Sequence, residues 1–159
     1  MSATISGKVL VTGGSGFLGI NLIRHLFGKG LADVRSLDLV EFDYPEKGRV
    51  DAVQGDIRDP ALVARCMQGV RYVIHTAAAL PLYSPEDIHT TDVVGTRILL
   101  EAAQKAGVER FVMISSTAVY CNPDHHPLRE EDQMIGVGPY GRAKIEAEAE
   151  CLKARAQGL

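Results

Sequence analysis

Tyr140 and Lys144 stand four residues apart in a run of helix formers, a spacing that puts a phenol and an ammonium on one helix face, one turn apart. A phenol of ordinary pKa is only about 0.1% ionised at neutral pH, and roughly 3 units, about 4 kcal/mol, separate it from a working proton acceptor. A neighbouring cation supplies part of that difference, so the pair reads as an acid/base couple for a hydroxyl or keto oxygen. Ser116, just after an apolar run, adds a hydroxyl that can donate to or accept from the same oxygen. The second chemical feature is the run Thr12-Gly13-Gly14-Ser15-Gly16-Phe17-Leu18-Gly19, which satisfies both Gly-x-Gly-x-x-Gly and Gly-x-x-Gly-x-x-Gly. Such a bend lets a pyrophosphate approach backbone N–H groups and the positive end of a helix more closely than any Cβ allows. Three fixed glycines arise by chance about 0.15 times in a chain with this much glycine, so the context carries the reading. The bend follows an apolar run, opens a helical stretch, and is followed 19 residues after Gly19 by Asp38. A carboxylate there accepts hydrogen bonds from ribose hydroxyls and repels a 2'-phosphate, which points to a dinucleotide and favours NAD over NADP. Arg35, three residues earlier, is the one nearby feature that opposes this preference.

Holding these groups together requires strands joined by crossover helices. Five short apolar runs read as strands: Lys8 to Thr12, Val34 to Asp38, Arg49 to Gln54, Arg71 to His75 and Arg110 to Ser115. Their nearly unbroken apolar character is that of strands covered on both faces. Between them the helical period predicts helices from about Gly16 to Phe27, from Pro60 (capped by Asp59) to near Gly69, from about Pro85 to Ala106 with Gly107 as its stop, and from near Pro139 to Gln157. With right-handed crossovers the series gives a doubly wound parallel sheet, Rossmann-like, of order 3-2-1-4-5. The helix that leads into a sixth strand is the last one present. Residues 1–159 are accordingly read as one dinucleotide-binding domain, the expected N-terminal part of a longer protein lacking its last strands.

The composition excludes several other functions. The 159 residues are 46% hydrophobic and 23% charged, with a net charge of -3, which leaves no basic footprint for a nucleic acid. The three cysteines, Cys66, Cys121 and Cys151, have neither metal-ligand nor disulfide-framework spacing. No window approaches a membrane span and the first residues form no signal peptide, so the protein is expected to be cytoplasmic. His75 reads as a strand-end residue rather than a base, and His125 and His126 as loop residues rather than metal ligands. Glu130, Glu131 and Asp132 read as a solvated acidic run.

Taken in order, Gly13 to Gly19, Gly55-Asp56-Ile57-Arg58-Asp59, His75-Thr76-Ala77-Ala78, Val94-Gly95-Thr96, Ser115 to Tyr120 and Tyr140-Gly141-Arg142-Ala143-Lys144 resemble the extended short-chain dehydrogenase/reductases, the NAD-dependent epimerase/dehydratase family. The resemblance spans essentially the whole chain. It implies that Tyr140 is the general acid/base, that Lys144 holds the nicotinamide ribose and lowers the Tyr140 pKa, and that Ser116 hydrogen-bonds the reacting oxygen. Gly13, Gly16, Phe17, Leu18, Gly19, Asp38, Asp56, Ile57, Ala77 and Ala78 would line the cofactor cleft, with Asp56 and Ile57 beside the adenine. It further implies an NAD-dependent epimerase or oxidoreductase acting on a nucleotide sugar, or else a 3β-hydroxysteroid-type dehydrogenase or a non-catalytic NAD-sensing module. A homodimer through the 85–106 and 139–157 helices is also implied. Three departures stand out: Asp92 where the family commonly has Asn, Cys121 in place of a glycine, and Thr117-Ala118 where sugar 4,6-dehydratases carry an Asp-Glu pair. The last argues against a dehydratase.

Overall fold

The structure is a computed structural model that describes residues 6–120 and 125–159. Cys121 and Asp124 lie outside the described residues. Five parallel strands form one sheet in the order β3-β2-β1-β4-β5: β1 (Lys8–Thr12), β2 (Val34–Asp38), β3 (Asp51–Gln54), β4 (Val70–His75) and β5 (Arg110–Met113). This is the order expected from the alternation of elements. The registers Thr12↔Leu37 and Thr12↔His75 bring the carboxyl ends of the three middle strands level, and so set one edge on which ligand-binding loops gather.

Helix α1 (Phe17–Gly28) buries Ile20 and Ile23 against Val9, Val11 and Val34 on one face of the sheet. The other face is covered by α2 (Pro60–Cys66) and α4 (Thr96–Ala106), whose Val63, Leu99 and Ala103 pack on Leu10, Leu37 and Val73. The Asp59 side chain accepts the Ala61 and Leu62 N–H groups and so starts α2. Gly107, in the left-handed conformation, ends α4. Helix α5 (Gly138–Ala156) lies beside α4, with Gly141, Ala143 and Ala147 at the buried side.

The structure corrects the expected elements in four places, the first being β5, which ends at Met113 rather than Ser115. The segment expected as one long helix from Pro85 to Ala106 comprises α3 (Pro85–Ile88), a π-helical stretch His89–Gly95, and α4. Helical period reports which face is apolar, and an inserted residue that widens one turn leaves that signal nearly unchanged. Arg49 belongs to a 3₁₀ turn (Pro45–Arg49), so β3 starts at Asp51. The sheet is also less covered than the strand composition suggests, because α1 lies over β1 and β2 and no helix among the described residues crosses to β5 on that side. Tyr72, Ile74 and Val112 consequently line an open groove of about 400 Å³, and Val112 is 43% exposed.

Candidate functional site

The bend between β1 and α1 is built by close backbone contact. A Cβ at Gly19 would lie 2.1 Å from the Gly13 carbonyl oxygen and 2.6 Å from the Gly14 Cα, so only glycine allows the helix to start this near the strand. Among the described residues, α1 has no side-chain cap, in contrast to α2, and no acidic residue in its first turn. Its leading N–H groups thus keep their positive potential for an anion. A Cβ on Gly16 would meet only the Gly13 carbonyl oxygen, at 3.3 Å, and would otherwise occupy open space. That space is a cavity of about 500 Å³ at the carboxyl edge of the sheet. Gly13, Gly16, Phe17, Leu18 and Gly19 line it together with Asp38, Asp56, Ile57, Ala77 and Ala78. A glycine cradle without a capping carboxylate, a strand-end acid and an apolar wall are the chemistry a dinucleotide needs, so the residues present fit such a group. A second cavity of similar volume lies between α2 and α4, lined mainly by Ala64, Met67, Ile98 and Ala102. It lies away from the strand ends and gathers none of these groups.

Asp38 is held in place by backbone N–H groups of the glycine bend and of its own loop. One carboxylate oxygen accepts the Ser15 N–H at 2.9 Å and the other the Val40 N–H at 2.9 Å. Asp56 is clamped by the Arg58 guanidinium, down to 2.7 Å, which holds its carboxyl below the usual carboxylate range. Arg58 also reaches Thr90 on the π-helical stretch at 3.2 Å. The adenine end expected from the sequence is thereby tied to the helix that carries Asp92.

Ser116, Tyr140 and Lys144 lie outside the lining of this cavity but adjoin it through the loop after β4, where Ala79 packs with Tyr140 and Ala143. The Tyr140 phenol lies near enough to Ser116 for the Ser116 side chain to act on its ionisation. The turn Thr117–Tyr120 makes this possible, because α5 comes so near it that a Cβ on Gly141 would sit 2.5 Å from the Ala118 carbonyl oxygen. Ser115 donates to Glu148 of α5 and fixes the same corner from the other side. The Lys144 ammonium lies 5.6 Å from the centre of the Tyr140 ring and is 4% exposed. Burial raises the Tyr140 pKa, the nearby Ser116 side chain opposes that, and the charge of Asp92 adds to it. The direction is opposite to the lowering that the resemblance implies, because desolvation penalises the phenolate.

Sequence reasoning missed a buried polar chain behind the site. The Thr96 hydroxyl donates to the Asp92 carbonyl at 2.6 Å, so its oxygen must accept from His75 Nε2, 3.0 Å away. This fixes the tautomer: Nε2 carries the proton and Nδ1 accepts from the Thr12 hydroxyl at 2.7 Å. Thr12 in turn accepts the Ala77 N–H at 3.4 Å. His75 is 2% exposed and its pKa is lowered to about 3 by burial and by the charge of Lys144, so it is a neutral strut between β1, β4 and the start of α4. The strand-end position of His75 was visible in the sequence, but Thr12 and Thr96 gave no signal, because each is an ordinary threonine until three elements meet.

The sequence profile of the NAD dependent epimerase/dehydratase family matches residues 9–159. The chain belongs to this family. Among its relatives, it is 39% identical over 121 residues to the 3 beta-hydroxysteroid dehydrogenase/Delta 5-->4-isomerase of Mycobacterium tuberculosis, covering 71% of this chain and 32% of that protein. It is 31% identical over 156 residues to the UDP-glucose 4-epimerase of Azospirillum brasilense, covering 90% of this chain and 43% of that protein. A solved structure of the dTDP-glucose 4,6-dehydratase of Streptomyces venezuelae, with NAD bound, superposes with a TM-score of 0.87 at 30% identity, covering 95% of this chain and 52% of that one. The chain thus spans between about a third and a half of the length of these family members. Among the described residues no helix is long and apolar enough to cross a membrane.

Proposed function

We propose that this chain supplies the NAD-binding half and the proton-transfer group of an enzyme that oxidises a hydroxyl carbon, or reduces the corresponding ketone, of a small organic substrate. The observation that carries this reading is the meeting of the Tyr140 phenol and the Ser116 hydroxyl beside the glycine-lined cavity, with the buried Lys144 ammonium behind them. When bound, NAD supplies the hydride acceptor. Gly13, Gly16 and the first turn of α1 would hold its diphosphate, Asp38 its adenosine ribose, Asp56 and Ile57 its adenine, and Lys144 its nicotinamide ribose. In the oxidation direction Ser116 orients the substrate oxygen by a hydrogen bond, and Tyr140 Oη, acting as the phenolate, takes the hydroxyl proton while the C–H bond gives up its hydride. In an epimerase the hydride returns to the opposite face of the same carbon, and Tyr140 returns the proton. Water elimination forms no part of the proposal, since Thr117 and Ala118, rather than carboxylates, follow Ser116.

Nucleotide sugars are the substrate class carried by the epimerase relative. A second reading, net dehydrogenation of an apolar alcohol such as a steroid, is favoured by the 39% identity to the hydroxysteroid dehydrogenase. It is also favoured by the loop after β4, which presents Leu80, Leu82 and Tyr83 to solvent, Leu82 at 97%. Net reduction of NAD, followed by absorbance, separates the two. The proposal extends to a homodimer through the 85–106 and 139–157 helices, where Leu152 of α5 is exposed. In the full-length protein Tyr140→Phe should abolish turnover and leave NAD affinity within about twofold, since a phenol that acts only in proton transfer contributes little to ground-state binding. Persistence of most activity would reject Tyr140 as the acid/base.

A further inference from the structure

The π-helical stretch places the carboxyl group of Asp92 in the interior, facing Lys144. Asp92 is 1% exposed, and one of its oxygens accepts the Ala79 N–H at 2.7 Å. The other, Oδ2, has no hydrogen-bond partner among the described residues and lies 3.8 Å from Lys144 Nζ, itself 4% exposed. A protonated Asp92 would bury an O–H donor with no acceptor in reach. An ionised Asp92 faces the ammonium directly and leaves neither charge alone in the interior. The Thr96 hydroxyl on the Asp92 carbonyl and the His75 strut behind it fix the backbone from which this oxygen projects.

We propose that Asp92 is the buried counter-charge that keeps Lys144 an ammonium in this protein. An amide at this position could not do this, because it carries no charge. Burial pushes the Lys144 pKa down and the charge of Asp92 pushes it back up. The other groups around the pair do not replace Asp92. His75 of β4 stays neutral down to about pH 3. Glu148 and Cys151, both on α5, act on Lys144 less strongly than Asp92, and the Cys151 thiol is itself pushed up to about 11. Burial and Asp92 both raise the Tyr140 pKa, so in the absence of cofactor the phenol offers Lys144 no counter-charge at neutral pH. Any role of Lys144 toward the phenol rests on the function proposed above, whereas its charge state does not.

The test is a pH titration of lysine side-chain 13Cε and 15Nζ resonances in the isotopically labelled full-length protein, with Lys144 assigned by comparison with Lys144→Met. Asp92→Asn keeps the shape and the acceptor for the Ala79 N–H but removes the charge. The Lys144 midpoint is expected to fall by about 1–3 pH units, a 10- to 1000-fold change in acid constant. An unchanged midpoint would overturn the proposal. In the unsubstituted protein, which needs no variant to fold, the Asp92 13Cγ resonance at pH 7 is expected to be that of a carboxylate; a carboxylic acid signal there would overturn it equally. Neither readout depends on turnover, so loss of the proposed catalysis and loss of the ion pair are distinguishable.

Discussion

Replacing His75 by Leu should change the acid sensitivity of the fold as well as its stability at neutral pH. The native imidazole is buried between two threonine hydroxyls and stays neutral down to about pH 3, whereas in the unfolded chain it takes up a proton near pH 6.5. Below pH 6.5 the unfolded state therefore binds one more proton than the native state, and stability falls by about 1.4 kcal/mol per pH unit. The loss from this residue reaches about 2 kcal/mol at pH 5 and about 5 kcal/mol near pH 3, where the folded form begins to titrate as well. His75→Leu removes this dependence. At pH 7 it costs stability, because the Thr12 O–H loses its acceptor and the Thr96 oxygen one donor. At ~1–3 kcal/mol for the orphaned donor and ~1 kcal/mol for the second bond, the variant should be about 2–4 kcal/mol less stable at neutral pH. Carboxylate titration is common to both proteins and cancels in their difference. Urea unfolding of the two at intervals from pH 7 to 5 should thus show the gap narrowing by about 2 kcal/mol. A gap that stays constant over that range would mean that His75 titrates normally in the fold, and the neutral-strut assignment would be wrong.

Two further outcomes concern the cofactor cleft. Gly19→Ala should lower the melting temperature and abolish NAD binding in calorimetry, because its Cβ collides with the backbone at Gly13 and Gly14 rather than with a movable side chain. NAD(H) should bind more tightly than NADP(H), and Asp38→Asn should narrow that preference by weakening NAD and relieving repulsion of the 2'-phosphate; a titration with the opposite order would remove Asp38 from the ribose site.

Much of this molecule was legible in its residues. Apolar runs alternating with helical period, together with right-handed crossovers, leave few topologies open, and the sheet has the order that follows. The residues expected to line the cofactor cleft from Gly13 to Ala78 do share one cavity, because successive strands of a parallel sheet deliver their following loops to the same edge. The tertiary structure decided what depends on contact between elements distant in the chain. The π-helical widening at His89–Gly95 keeps the apolar face of an ordinary helix, so periodicity could not reveal it. The proton position on His75 is set by two threonines, 63 residues before it and 21 after it. Asp92 was visible as a departure from the family pattern, but its meaning was not. Whether a carboxyl group is a solvated charge, a hidden acid or the partner of an ammonium depends on what water it loses and what it faces, and neither is written in local sequence.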